Sequence, residues 1–249
     1  MRNFVLGFIG VIVFVIGWQI LSQNYTSNQL PEPLEAFNAI IEIAQEGILV
    51  EHLVASLNRF IIGYGSGAIA GIILGLILGR YFIMFKLCDT LIQIIRPISP
   101  VAWFPLAVLW FGIGDAPAIF IIILATFFPV LLSTISGVGH VDPLLLKVSR
   151  NFGASEFKTL FSVIIPASFP HIVMGLNIAM GTAWIHLVAG EMLGAQSGLG
   201  YLIVDARNFL RSDLIIAGMI LIGLIGWGMN FAMKRFEKSV KKRWGVSNG

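Results

Sequence analysis

Residues 53–79 read LVASLNRFIIGYGSGAIAGIILGLILG. The run carries one charged residue, Arg59, and exceeds the roughly 20 apolar residues that a helix needs to cross the hydrocarbon core. Gly63, Gly67, Gly71, Gly75 and Gly79 recur every four positions. That spacing places them on one slowly rotating stripe of a helix. A stripe without side chains lets a second backbone come close and gain dispersion contacts, which drives helix association where lipid removes the hydrophobic force. The five glycines are therefore read as helix-packing residues, with no chemistry of their own.

The rest of the chain follows the same grammar. Of 249 residues, 57% are hydrophobic and 12% are charged, and the mean hydropathy is +0.89. A soluble domain carries about 25% charged residues, so half that number leaves too little polar surface to face water. Apolar runs at 4–21, 53–79, 83–112, 116–136, 170–193 and 213–233 divide the chain into about six transmembrane helices. The class is an all-α integral membrane protein, without room for a soluble catalytic domain. The first run is read as an uncleaved span, since no small-residue cleavage pattern follows it. Pro97, Pro100 and Pro105 each lack a backbone donor, so the third segment is expected to be kinked or broken. Broken helices at membrane depth persist only against protein or a water-filled cavity.

Charge sets the orientation. The segment 22–52 holds five glutamates and no lysine or arginine. Leu34, Phe37, Ile41 and Ile48 within it fall at near-helical spacing, which predicts a short helix lying on the outer membrane surface. Basic residues collect at Arg80 and Lys86, in the 140–169 loop, and in the tail (Lys234, Arg235, Lys238, Lys241, Lys242, Arg243). The positive-inside rule then puts those segments and both termini in the cytoplasm, with the tail touching anionic lipid and no nucleic acid. The organisation is thus a first span with an external amphipathic segment (1–52), a transmembrane core (53–235) enclosing the 140–169 loop, and a basic tail (236–249). The single cysteine, Cys88, excludes an internal disulfide and a cysteine metal cluster. No His or Cys ligand spacing marks a metal site, no catalytic residue is assigned, and no phosphate-cradling glycine loop is present.

The 140–169 loop is long for so compact a membrane protein. Its centre, KVSRNFGASEFKTLFSVIIP (147–166), reads as helix, turn, helix. Asp142 caps the first helix with Pro143 at its first position. Leu144, Leu145, Val148 and Phe152 give that helix an apolar face. Gly153 allows a tight turn, Ser155 caps a second helix from Glu156 to about Val163, and Pro166 is expected to stop it and re-aim the chain into span five. Phe157, Leu160 and Phe161 share one face, which on the cytoplasmic side calls for a partner groove.

Here the sequence resembles a family. Gly153, nine residues, then Val163, Ile165 and Pro166 looks like the loop shared by permeases of ATP-binding-cassette importers. RPISPVAWFPLAVLWFGIG (96–114) and EMLGAQSGLGYLI (191–203) are similar to the branch carrying nitrate, taurine and alkanesulfonates, which also includes importers of bicarbonate and vitamin precursors. The resemblance implies the type I importer permease fold and a homodimer of permeases in the bacterial cytoplasmic membrane. It also implies two ATPase subunits that bind ATP and Mg, and an extracytoplasmic solute-binding protein. This chain itself would hold no cofactor. Lys147, Gly153, Ala154, Ser155, Glu156, Phe157 and Pro166 would form the ATPase-coupling loop. The family's usual Glu-Ala-Ala is replaced by Lys147, Val148 and Ser149, a departure that bears on the family's acidic contact and not on the docking geometry.

Polar residues inside span five are the pathway candidates, because intramembrane ionisable groups are costly and often line pathways. Asn177 and Glu191 share one stripe with Gly181 and Trp184; Thr182 and His186 share another with His171 and Gly175. Which stripe faces the pathway is open at this level. Glu191, near the outer boundary, and His171, near the inner one, can each reach water, and Arg59 is read as snorkelling to the interface. An anion in such a pathway is expected to meet helix N-termini and neutral donors, with no permanent charge at the midplane. Two other readings stand beside the importer permease. A stand-alone ion-coupled transporter needs paired carboxylates at mid-membrane, and a membrane-embedded enzyme needs clustered catalytic groups; the spans show neither.

Overall fold

The computed structural model describes residues 2–243, and all regular structure among them is helical. Eleven helices follow in order: α1 Arg2–Ser22, α2 Pro33–Gln45, α3 Ile48–Arg80, α4 Phe82–Ile95, α5 Phe104–Phe111, α6 Asp115–Gly139, α7 Pro143–Asn151, α8 Glu156–Thr159, α9 Ile165–Gly194, α10 Leu199–Asn208 and α11 Ser212–Arg243. Helix α11 carries the first part of the basic tail; residues 244–249 lie outside the described residues. Four helical segments are long and apolar enough to cross a membrane: Ile48–Arg80, Asp115–Gly139, Glu156–Gly194 and Ser212–Val240. Residues 82–95 and 100–111 form a helix pair bent by 86°, a fifth span where the two halves make one crossing, and Leu6–Ser22 of α1 adds a shorter apolar helix.

Two compact units emerge. One comprises Asn58–Gly190 with Gly226–Gly249. Its centre is the glycine stripe of α3 laid against α6. A methyl group placed on Gly63 would stand 2.6 Å from Cβ of Ile122; on Gly67, 2.9 Å from Cβ of Thr126; on Gly71, 3.1 Å from Cβ of Val130; on Gly75, 2.6 Å from Cβ of Thr134; on Gly79, 2.7 Å from Cβ of Val138. Every partner is β-branched and restricted at χ1, so a row of stiff knobs meets a row of missing side chains. The hydroxyls of Thr126 and Thr134 donate to the carbonyls of Ile122 and Val130 at 2.8 and 2.7 Å, which leaves the seam without orphaned donors.

Both rows advance together, so α3 and α6 run parallel. The chain must therefore return once between them, which makes the bent α4–α5 pair a crossing and fits the three prolines. Helix α9 packs on α6 in the opposite sense: Gly137 faces Ser168 and His171, Gly175 faces Ser133, and Gly190 faces Ala118. The Tyr64 hydroxyl donates to the Leu176 carbonyl at 2.8 Å, tying α3 to α9.

The other unit comprises Met1–Leu57 with Glu191–Ile225. The Trp18 indole donates to the Pro31 carbonyl at 2.9 Å. Helix α2 buries Ala36, Ala39 and Ile43 and leaves Leu34, Phe37 and Ile41 exposed, an uncovered apolar face. The segment 194–212, which joins the fifth and sixth apolar runs, contains α10. Its glycines stand at the helix entry: Gly198 adopts φ +107 as the cap residue of α10.

Candidate functional site

The hairpin between α6 and α9 is built from local caps. Asp142 Oδ1 accepts the Leu144 N–H at 2.8 Å and starts α7 behind Pro143. Gly153 ends it at φ +71. The Gly153 N–H donates to the Arg150 carbonyl at 2.9 Å, and the Ala154 N–H to the Ser149 carbonyl at 3.1 Å. This paired arrangement satisfies the last carbonyls of a helix and places its glycine in the left-handed region. Ser155 Oγ then accepts the Lys158 N–H at 3.3 Å and opens α8. The hydroxyls of Ser149 and Thr159 meet at 2.8 Å and clip the two helices together. Ser149 thus takes up a local hydrogen bond at one of the positions where the resembled family carries Glu-Ala-Ala.

One further bond fastens the hairpin. Arg80, the last residue of α3, reaches Glu156 with Nη2 2.6 Å from Oε2. Phe157 and Leu160 border a small groove with Leu76, Ile77 and Tyr81 beside this pair. Outward, the hairpin is bare. Phe152, Phe157 and Phe161 are 86%, 72% and 54% exposed, with the last two rings 4.6 Å apart, and Lys147 is exposed as well. Pro166 does not stop the second helix as expected. A wider π-helical turn at Leu160–Ile164 carries α8 straight into α9. Such a turn rearranges the hydrogen-bond ladder where the proline has no donor to offer.

The four pathway candidates separate. Thr182 and His186 line a cavity of about 360 Å³ together with Ser133, Trp103 and Arg96. The His186 Nδ1–H donates to the Thr182 carbonyl at 2.7 Å, and the Thr182 hydroxyl donates to the Ala179 carbonyl at 3.0 Å. Asn177 is not in that wall; its amide donates to Glu237 of α11. Glu191 is not there either and does not reach water. It is 1% exposed, accepting from Ser56 Oγ at 2.8 Å and from the Gly200 N–H at 2.9 Å, while Ser56 accepts the Leu199 N–H at 2.9 Å. The Thr182–His186 stripe is therefore the one that meets a cavity.

Two basic residues stand differently from expectation. Arg59 does not snorkel: its side chain is 3% exposed and meets Asp115 at 2.6 Å, in the first turn of α6. A carboxylate there also suits the positive end of the helix. Arg96 was outside the candidate set, and the expectation of neutral donors alone leaves it out. The break after α4 is what turns it toward the cavity, a consequence of the prolines at 97 and 100.

Residues 67–246 match the family described as binding-protein-dependent transport system inner membrane component. An ABC transporter permease protein of Methanocaldococcus jannaschii is 40% identical over 230 residues, 90% of this chain and 86% of that one. The taurine transport system permease protein of Escherichia coli K12 is 31% identical over 233 residues, 91% and 85% of the two chains. The nitrate import permease protein of Leptolyngbya laminosa is 33% identical over 220 residues, 86% and 79%. Among solved structures, an inward-facing form of the MetNI methionine ABC transporter superposes with a TM-score of 0.68 at 19% identity, covering 79% of this chain and 98% of that one. That likeness concerns the fold.

Proposed function

This chain belongs to the binding-protein-dependent transport system inner membrane components, and from that premise we propose that it passes a small oxyanion into the cell by alternating access, driven by a separate ATPase. It is a multi-pass permease subunit of an ATP-binding-cassette importer. Relatives named for taurine, aliphatic sulfonates and nitrate support the substrate class.

The observation that carries the coupling role is the hairpin 143–166: an exposed aromatic ridge on a scaffold whose turns are all satisfied internally. Large exposed apolar patches mark interaction sites, and a short helix with aromatic anchors fits a partner groove. The ridge receives the ATPase subunit. Motion delivered there passes through the Glu156–Arg80 bond into α3 and through the continuous helix into α9. Hydrolysis, with its ATP and Mg, belongs to two copies of that partner. A second copy of this chain completes the permease, and an extracytoplasmic binding protein delivers the solute. Both termini and residues 140–169 lie in the cytoplasm. The ion-coupled alternative finds no support, since the buried carboxylate Glu191 is held by Ser56 and the Gly200 N–H.

The test is cross-linking in membranes. With Cys88→Ala as background, Phe157→Cys should bond to a cysteine placed in the cleft of the co-expressed ATPase, and the complex should co-purify. Labelling of that cysteine only from the extracytoplasmic side overturns the reading.

A further inference from the structure

We propose that Arg96, at the break between α4 and α5, is the anion-binding residue of the transport pathway, holding an oxyanion inside the cavity it shares with Ser133, Thr182 and His186. The proposal rests on the permease reading and adds to it the residue that would meet the cargo.

The argument begins with depth. The parallel packing of α3 and α6 makes residues 82–111 a single crossing, and Arg96 lies midway along it, next to the break. Charged side chains at such a depth are rare; they face a cavity or the bundle interior and are paired or functional. Arg59 shows the paired case, closed by Asp115. Arg96 shows the other: it is exposed and makes no ion pair among the described residues. The helix bent by 86° beside it has no steady hydrogen-bond ladder from Arg96 to Pro100, and irregular backbone at membrane depth occurs where a cavity is lined.

The chemistry of the lining points the same way. A guanidinium is a planar fork of donors that fits two oxygens of one anion. Ser133 adds a hydroxyl donor. His186 spends its Nδ1–H on the Thr182 carbonyl, and the permanent positive charge of this wall is that of Arg96. No carboxylate stands among the lining residues to cancel it. The remaining lining is largely apolar, as in Phe128 and Leu132, which keeps the residence brief: one charge attracts the anion and little else retains it.

The experiment uses the complete complex, with ATPase and binding protein, in proteoliposomes loaded with ATP. Labelled nitrate, taurine and methanesulfonate are the probes. For whichever probe the wild type takes up, Arg96→Gln should lower uptake by about tenfold or more, the loss of one charge-assisted hydrogen bond. Binding-protein-stimulated ATP hydrolysis should persist, and Arg96→Lys should restore part of the uptake. Undiminished uptake by Arg96→Gln overturns the site and leaves the permease reading standing. A wild type that takes up none of the three by an ATP-dependent route speaks against the proposed cargo, and a second measurement then decides on the site. Trp103 shares the cavity, and its fluorescence is the difference between the wild type and Trp103→Phe. Iodide should quench that signal better than neutral acrylamide, and Arg96→Gln should abolish the iodide advantage alone. Equal iodide quenching with and without Arg96 overturns the proposal.

Discussion

Replacing Gly153 isolates the backbone of the hairpin from its surface. The residue stands at φ +71, and nothing lies within 4 Å of the place a Cβ would occupy. A side chain there meets conformational strain and no clash. An L-residue in the left-handed region costs roughly 1–2 kcal/mol, and asparagine bears it best; a β-branched side chain bears it worst. Because about 1.4 kcal/mol is a factor of ten, the native turn should lose roughly five- to thirtyfold against its alternatives in Gly153→Val. The series Asn, Ala, Val should therefore lower the solute transported per ATP hydrolysed in that order, measured on the reconstituted complex, while the ATPase still co-purifies. The capping serine and the Ser149–Thr159 clip are untouched, so assembly is expected to survive. A Val variant with the wild-type ratio would remove the turn from the transmission path. Equal losses with Asn and Val would show that bulk at the partner surface, and not the dihedral, is what matters.

Other expectations follow from packing and charge. Gly75→Val puts a carbon 2.6 Å from Thr134 Cβ and should cost about 1–3 kcal/mol. That loss is read as a lower Tm in detergent, whereas Gly65→Val, with open space around it, should melt nearly unchanged. Arg80→Glu should lower the coupling ratio and Glu156→Arg in the same chain should restore it; failure of the exchange to restore coupling makes the bond incidental. Glu191→Leu strands Ser56 Oγ and the Gly200 N–H in an apolar setting, at about 1–3 kcal/mol each. Glu191→Gln, which keeps an acceptor, should yield clearly more folded protein by size-exclusion chromatography.

Features encoded within a few residues were legible in the sequence. The four-residue glycine rhythm announced a close helix contact, although its partner row of β-branched residues on α6 lies too far along the chain to be paired by eye. Asp142, Gly153 and Ser155 are local punctuation, and the structure places each at a helix end. The prolines at 97, 100 and 105 marked the broken span. What escaped depends on distant partners. Arg59 looks like an interfacial cation until Asp115 is brought to it, and Glu191 looks able to reach water until Ser56 and the turn at 198–200 close over it. Helix α10 was missed because Gly198 and Gly200 read as loop residues, whereas one of them caps a helix and the other donates to a buried carboxylate. Pro166 was misjudged because a π-helical turn leaves no mark in hydropathy. The choice between the two stripes of α9 needed the cavity itself.

The Glu191 knot has a bearing on how the protein is made. Ser56 leaves the ribosome 135 residues before the carboxylate that will accept its hydroxyl. Membrane insertion is vectorial, so the opening helices enter the bilayer without the groups that complete their unit. Until Glu191 and the turn behind it arrive, the early segments need shelter at the lipid–water boundary or beside an insertase. A nascent chain truncated short of residue 200 should accordingly be a substrate for membrane quality-control proteases, long after most of its crossings have been threaded.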